Sequence, residues 1–337
     1  MSIIQQSYVY ELLNPICIII LELQQTKMRH FLFFCIIILA LTSCQKASKS
    51  IDQIHHITTS DSCSLYVHVK GEGPVCLYLH GGPGSGSEWM KALVGPVLEK
   101  RFTMVYLDQR GVCRSTIPTN DDYSFARQIR DWEEVREALG FEDWLLMGHS
   151  WGGILMMGYW QKHPEVIDGM IFLNCTLSCG TSMKDSWLPT AINIVGDKVN
   201  PIATDTTRSI KERLMAIFPQ LNDDNRWQLF TPNKWANDTI GSWIFHQECI
   251  SHDGEKALFI DDYWQDFRAL TPEVKVPVLY LYGRQDYAVG PEHYKDLKFP
   301  NAIVRGADCG HIIFLEEPTL FANSLDEYLE YFAKFSN

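Results

Sequence analysis

Ser150 lies in the pentad Gly148-His149-Ser150-Trp151-Gly152, with an apolar run at 144–147 before it and another at 154–160 after it. That pattern calls for a strand, an abrupt reversal and a helix, with the serine at the apex of the turn. Such a turn forces strained backbone angles on the serine and brings neighbouring chain very close. Glycine, lacking a Cβ, fits at 148 and 152 where larger residues would collide. A pentad with three fixed common residues also arises by chance, so the flanking apolar runs carry much of the weight. A serine held this way presents its hydroxyl at the end of a buried strand, where a nucleophile belongs.

A serine nucleophile needs oxyanion donors, a base and an acid, and each has a candidate. His80-Gly81-Gly82-Pro83-Gly84 follows the apolar run 75–79. Its glycines let backbone N–H groups approach a substrate oxygen. Alone it would read as an ordinary Gly-Pro turn; the elbow downstream argues for the functional reading. Asp286 follows the apolar run 278–282, and His311 follows 302–304 and precedes a terminal helix. Strand ends are where parallel sheets place catalytic groups. Asp308 competes for the role of acid but, three residues before His311, is read as shaping the loop. The order Ser150, Asp286, His311 is that of the α/β-hydrolases.

These residue types suit nucleophilic catalysis. Serine is a poor nucleophile at its free pKa, so His311 must take its proton while Asp286 orients and charge-stabilises the imidazole. The Trp151 N–H would sit at the positive end of the following helix. With a second N–H from Gly82 it would hold a tetrahedral oxyanion, each such donor being worth ~3 kcal/mol in the transition state. His80 and Asp108 are expected to hold the two loops in shape. This chemistry requires no metal and no organic cofactor.

From about residue 51 onward the chain resembles the α/β-hydrolases, and within them the proline iminopeptidases and related tricorn-associated aminopeptidases. The marks are His-Gly-Gly-Pro-Gly at 80–84, Asp108-Gln109-Arg110-Gly111, the helical stretch 131–140, and Ser150-Trp151-Gly152. Two positions depart from that family's pattern: Cys113 replaces a usual glycine, and His149 replaces a usual small residue.

Residues 51–70 read as two opening strands, and short apolar runs recur at 75–79, 103–107, 144–147, 170–173, 278–282 and 302–304. Phe125, Ile129, Trp132, Val135 and Leu139 recur at helical spacing, with Gly140 as a stop. Strands alternating with helices predict an α/β fold with a mostly parallel, doubly wound sheet. The interval 176–270 breaks the rhythm. It holds Trp187, Trp227, Trp235, Trp243 and Trp264 and a helix-like stretch at 210–218. A structureless loop of that length is improbable, so a mainly helical cap is expected there. It would lie between core segments 44–175 and 271–337, with most of its tryptophans packing its own small core.

The N-terminus reads as a processing signal. Met28-Arg29-His30 and the apolar run 31–41 have the basic and apolar regions of a secretory signal, and Leu41-Thr42-Ser43-Cys44 looks like a bacterial lipobox. The apolar run is too short to span a bilayer, which takes about 20 residues. The expectation is a signal peptide at 28–43, Cys44 lipidated as the mature N-terminus, residues 1–27 outside the native protein, and a lipid-anchored protein of the bacterial cell envelope. A net charge of −12 with no basic stripe argues against nucleic-acid binding. Cysteines 63, 76, 113, 175, 179, 249 and 309 match no zinc spacing. Their odd number cannot be fully paired within the chain, and their connectivity is left open.

The expected reaction is aminopeptidase cleavage, releasing the N-terminal residue of short peptides. A free α-ammonium in a covered apolar site needs carboxylates nearby. The resemblance implies acidic cap residues in that role: Glu255 first, Glu248 second, with Glu212 also weighed. The alternatives are a small-molecule esterase or carbon–carbon hydrolase with the same triad, and a non-catalytic lipid-anchored binding protein.

Overall fold

The computed structural model describes residues 50–222, 224–246, 249 and 251–335. The segment 28–43 expected as a signal peptide and Cys44 lie outside the described residues, as does Glu248. Eight strands form one sheet: β1 (Ile51–Thr58), β2 (Ser64–Gly71), β3 (Val75–Leu79), β4 (Thr103–Leu107), β5 (Trp144–His149), β6 (Ile167–Leu173), β7 (Val278–Gly283) and β8 (Ala302–Ala307). Their order across the sheet is β1-β2-β4-β3-β5-β6-β7-β8. β1 and β2 pair antiparallel, and β2 meets β4 antiparallel. Every other pairing is parallel. β5, which leads to Ser150, is therefore a central strand.

The strands are apolar on both faces because both faces are covered. Leu77, Leu79, Val105, Leu107 and Leu146 point into one core. Their immediate neighbours Cys76, Tyr78, Met104, Tyr106, Leu145 and Met147 point into the other. The longer helices are α1 (Glu88–Leu98), α2 (Phe125–Leu139), α3 (Gly152–Lys162), α4 (Leu188–Val195), α5 (Ile210–Ile217), α6 (Lys234–His246) and α7 (Pro318–Phe335). α2 and α3 cover the first face and α1 and α7 the second. The spacing in α2 puts Phe125, Ile129, Trp132 and Val135 into the core. Ser124 accepts a hydrogen bond from the Arg127 N–H at its start, and Gly140 closes it at φ +73°. Burying each large side chain contributes roughly 1.5–3 kcal/mol, so Trp132→Ala would be among the costlier single changes at about 3–5 kcal/mol.

Between β6 and β7 the described residues contribute helices and turns but no strand of the sheet. Trp187, Leu188, Ala191, Leu214, Ile217 and Leu229 form a separate apolar cluster there. Trp187 packs in that cluster, Trp264 packs against both it and the main core, and Trp235 is exposed. A disulfide joins Cys113, in the loop after β4, to Cys249, in this inserted region. Cys63, Cys76, Cys175, Cys179 and Cys309 are free and buried. Among the described residues, no helix is long and apolar enough to cross a membrane.

Candidate active site

β5 runs directly into Ser150, which has φ +57°, a left-handed conformation that costs a non-glycine residue about 1–2 kcal/mol. The turn is pinned on three sides. The Ser150 N–H donates to the Leu173 carbonyl at 3.2 Å, and the Ser150 carbonyl accepts from Gly153 and Thr176 at 3.2 and 3.1 Å. The two glycines are steric necessities. A Cβ at Gly152 would stand 2.3 Å from the Leu79 carbonyl oxygen, and one at Gly148 would stand 2.5 Å from Met156 Sδ. The tight approach read from the pentad is thus an approach to the end of β3, whose following loop is His80–Gly84.

That loop lies against the serine. A Cβ on Gly81 would meet Ser150 Cβ at 2.9 Å, and Gly82, the next residue, is exposed with φ +114°. Trp151 immediately precedes α3, so its amide belongs to the positive end of that helix. His80 is buried and neutral in its contacts: Nδ1–H donates to the Gly81 carbonyl at 3.1 Å and Nε2 accepts from the Gln109 N–H at 3.2 Å. Burial pulls its pKa down. Asp108 accepts from Ser87 N–H and Oγ–H at 2.8 Å each, and from Arg114 Nε at 2.7 Å. Burial alone would raise its carboxyl, but Arg114 and Ser87 outweigh burial and hold it below the usual range. Both residues tie the loops after β3 and β4 together.

Arg110, in the same Asp-Gln-Arg-Gly stretch, is a buried anchor for this end of the sheet. Its Nε and Nη2 grip Asp131 at 2.6 and 2.8 Å. Nη1 and Nη2 reach Asp61 at 3.0 and 3.1 Å, and Nη1 also reaches the Asp122 carbonyl at 2.7 Å. All five guanidinium N–H groups are thereby used, as a buried charge requires.

The structure brings Asp286 and His311 together at the ends of β7 and β8. His311 Nδ1 lies 2.9 Å from Asp286 Oδ2, and both side chains are buried. Asp286 Oδ1 accepts from the Ala288 and Val289 N–H groups at 3.0 and 3.1 Å. An acceptor-only carboxylate at Nδ1 places the proton there, leaving Nε2 as the basic nitrogen. Asp308 instead pairs with Arg284 at 2.9 Å on the surface. His311 donates its backbone N–H to the Phe230 carbonyl at 2.5 Å, so the inserted region holds His311 directly.

Of the candidate recognition carboxylates, Glu255 comes to the site loop. Its Cγ would lie 2.6 Å from a Cβ at Gly84, and its Oε1 is 4.0 Å from His252 Nδ1, which in turn is 3.3 Å from the Gly84 carbonyl. Its side chain is 64% exposed, so it stands at a rim and not in the covered pocket expected from the sequence. Glu212 lies elsewhere: it closes the capping box of α5 with Ser209.

Asn174 is the residue that sequence reasoning missed. It follows β6 at φ +48°. Its Nδ2 donates to Asp286 Oδ2 at 3.1 Å and to the Gly310 carbonyl at 3.0 Å, and its Oδ1 accepts from the Ile313 N–H at 3.2 Å. One side chain therefore joins β6, Asp286 and the His311 loop. The available signal was a polar residue directly after an apolar strand, at the strand end where such sheets carry function.

Comparison with known proteins agrees with this architecture. The α/β-hydrolase fold family matches residues 74–200. The proline iminopeptidase of Neisseria gonorrhoeae is 27% identical over 284 residues, covering 77% of this chain and 90% of that enzyme. A proline iminopeptidase-related protein of Thermus thermophilus superimposes with a TM-score of 0.69 at 22% identity, over 84% of this chain and 98% of the other. An esterase of Exiguobacterium antarcticum superimposes at 0.60 with 18% identity, over 82% and 100%. At those identities the two superpositions speak for the fold alone. The chain has the α/β-hydrolase fold and is similar to proline iminopeptidase.

Proposed function

We propose that this protein is a serine aminopeptidase that releases the N-terminal residue, proline foremost, from short peptides through an acyl-enzyme on Ser150. The observation that carries the reading is the Asp286–His311 hydrogen bond at 2.9 Å at the same sheet end as a Ser150 held at φ +57°. His311 Nε2 takes the Ser150 proton as Oγ attacks the carbonyl carbon, and the amide N–H groups of Trp151 and Gly82 receive the oxyanion. His311 then protonates the departing amine, and water, deprotonated by the same imidazole, hydrolyses the ester. The substrate's free ammonium meets Glu255 at the rim beside Gly84. The name borne by the Neisseria relative supports the peptidase reading.

The test compares prolyl- and alanyl-naphthylamide with their N-acetylated forms and with p-nitrophenyl acetate. Cleavage of the free amines that acetylation blocks is the expected result. Because Glu255 is an exposed carboxylate, worth up to ~1 kcal/mol, Glu255→Gln should raise KM for the free amines by about five-fold. Hydrolysis of the simple ester alone, indifferent to Glu255, hands the protein to the esterase or carbon–carbon hydrolase reading. Failure of a fluorophosphonate to label the protein at all would leave the binding-lipoprotein reading.

The second part of the proposal is location: a lipoprotein of the cell envelope, anchored through Cys44. The lipobox supports it, and so does the Cys113–Cys249 disulfide, since such bonds persist in oxidising compartments. Radioactive palmitate should label wild-type cells and not Cys44→Ala; equal labelling, or none in either, overturns it.

A further inference from the structure

We propose that His149, the residue before the nucleophile, is a positioning residue for the histidine base, holding the His311 backbone from beneath through its own imidazole. The proposal rests on the Ser150–His311–Asp286 reading above.

His149 Nε2 lies 2.9 Å from the His311 carbonyl oxygen. A carbonyl can only accept, so His149 carries its proton on Nε2 and donates it there. The His149 ring is 4.7 Å from the His311 ring, 5.4 Å from Trp89 and 5.3 Å from Phe314, the last two edge-on. Enclosed by those three rings it is only 6% exposed. Burial, reinforced by the neighbouring His311, pushes its pKa down to about 3, so it is a neutral donor at any working pH.

This contact completes a three-point hold on the base. The His311 N–H goes to Phe230, its C=O receives His149, and its Nδ1 is bonded to Asp286. Proton transfer is left to Nε2. The His149 bond also joins two segments 162 residues apart, the elbow and the loop after β8, so that nucleophile and base share one rigid connection. A neutral partner is required here because His311 becomes an imidazolium during each acyl transfer, and a second cation at ring-contact distance would oppose that charge. The imidazole occupies the space between Trp89, Phe314 and His311 and supports the base from there.

The experiment measures kcat and KM on p-nitrophenyl acetate for wild type, His149→Phe, His149→Gln and Ser150→Ala, with melting curves for each. Phenylalanine fills the ring space without a donor; glutamine restores an N–H at similar reach. Misplacing a catalytic group by about 1 Å can cost about 100-fold in rate, so H149F should lower kcat by roughly 10- to 100-fold with KM nearly unchanged, and H149Q should recover most of the loss. Equal kcat in H149F and H149Q, or wild-type kcat in H149F, overturns the proposal. Should H149F not fold, His149→Met takes its place against H149Q on the same criterion. An inactive S150A beside a full-speed H149F rejects the role of His149 alone. Undiminished hydrolysis in S150A rejects the triad reading itself.

Discussion

Asn174 donates to Asp286 Oδ2 at 3.1 Å, the same oxygen that receives the His311 ring at 2.9 Å. Asp286 and His311 are therefore set from a third strand end, and not only from the two strands that precede them. Asn174→Ala strips that support and leaves the buried Gly310 carbonyl and Ile313 N–H without their side-chain partner. Stability should fall by about 1–3 kcal/mol, and kcat on p-nitrophenyl acetate by roughly 10- to 100-fold. Urea unfolding and steady-state kinetics read the two effects separately. A variant with wild-type kcat would show that Asp286 and His311 hold their geometry without it.

Ser150 sits at φ +57°, and its strained backbone separates activity from stability. Ser150→Gly removes the nucleophile and also the left-handed penalty of about 1 kcal/mol. It should abolish fluorophosphonate labelling while melting at or above the wild-type temperature. Ser150→Ala, which keeps a Cβ, should be equally unreactive and melt below S150G. A glycine variant less stable than the alanine one would place the strain elsewhere.

Acid should destabilise the fold well before its carboxylates protonate. Burial depresses His149 to about 3, and burial aided by Arg268 depresses His293 to about 4; His80 is shifted the same way. The unfolded chain takes up these protons near pH 6.5, while in the folded chain His149 and His293 refuse theirs down to about pH 4. The unfolded state thus binds more protons throughout that window, and stability falls as pH drops, by at most ~1.4 kcal/mol per pH unit for each group. His293 Nε2 accepts the Leu177 N–H at 3.0 Å. Glutamine can offer an acceptor there and cannot titrate, so His293→Gln should flatten the dependence of the urea midpoint between pH 7 and 5. An unchanged slope would mean that His293 is not titrating on unfolding.

How much of this could be read from sequence depended on how local each constraint is. The elbow is legible because its strand, turn and helix are consecutive and its steric demands fall on two fixed glycines. The strand edges were less legible. Apolar runs at 144–147 and 302–304 mark where side chains enter a core, yet β5 continues through Gly148 and His149, and β8 through Arg305 to Ala307, because backbone pairing is indifferent to side-chain polarity. Asp286 and His311 follow late strands and could be nominated from position. Asn174 belongs to no motif, and its three partners come from distant segments that only the folded sheet assembles. Likewise nothing near Cys113 announces Cys249 as its partner. The exposure of Glu255 depends on how far the inserted region reaches over Gly84, which composition does not encode.

The Cys113–Cys249 disulfide spans 136 positions and turns that part of the chain into a covalent ring. Ser150 lies within the ring; Asp286 and His311 lie on the tail that leaves it. A protease that cuts the chain once between the two cysteines opens the ring without dividing the molecule, and Ser150, Asp286 and His311 remain on one connected strand of bonds until the disulfide is reduced. Any single cut in the inserted region ahead of Cys249 therefore leaves Ser150 covalently joined to Asp286 and His311.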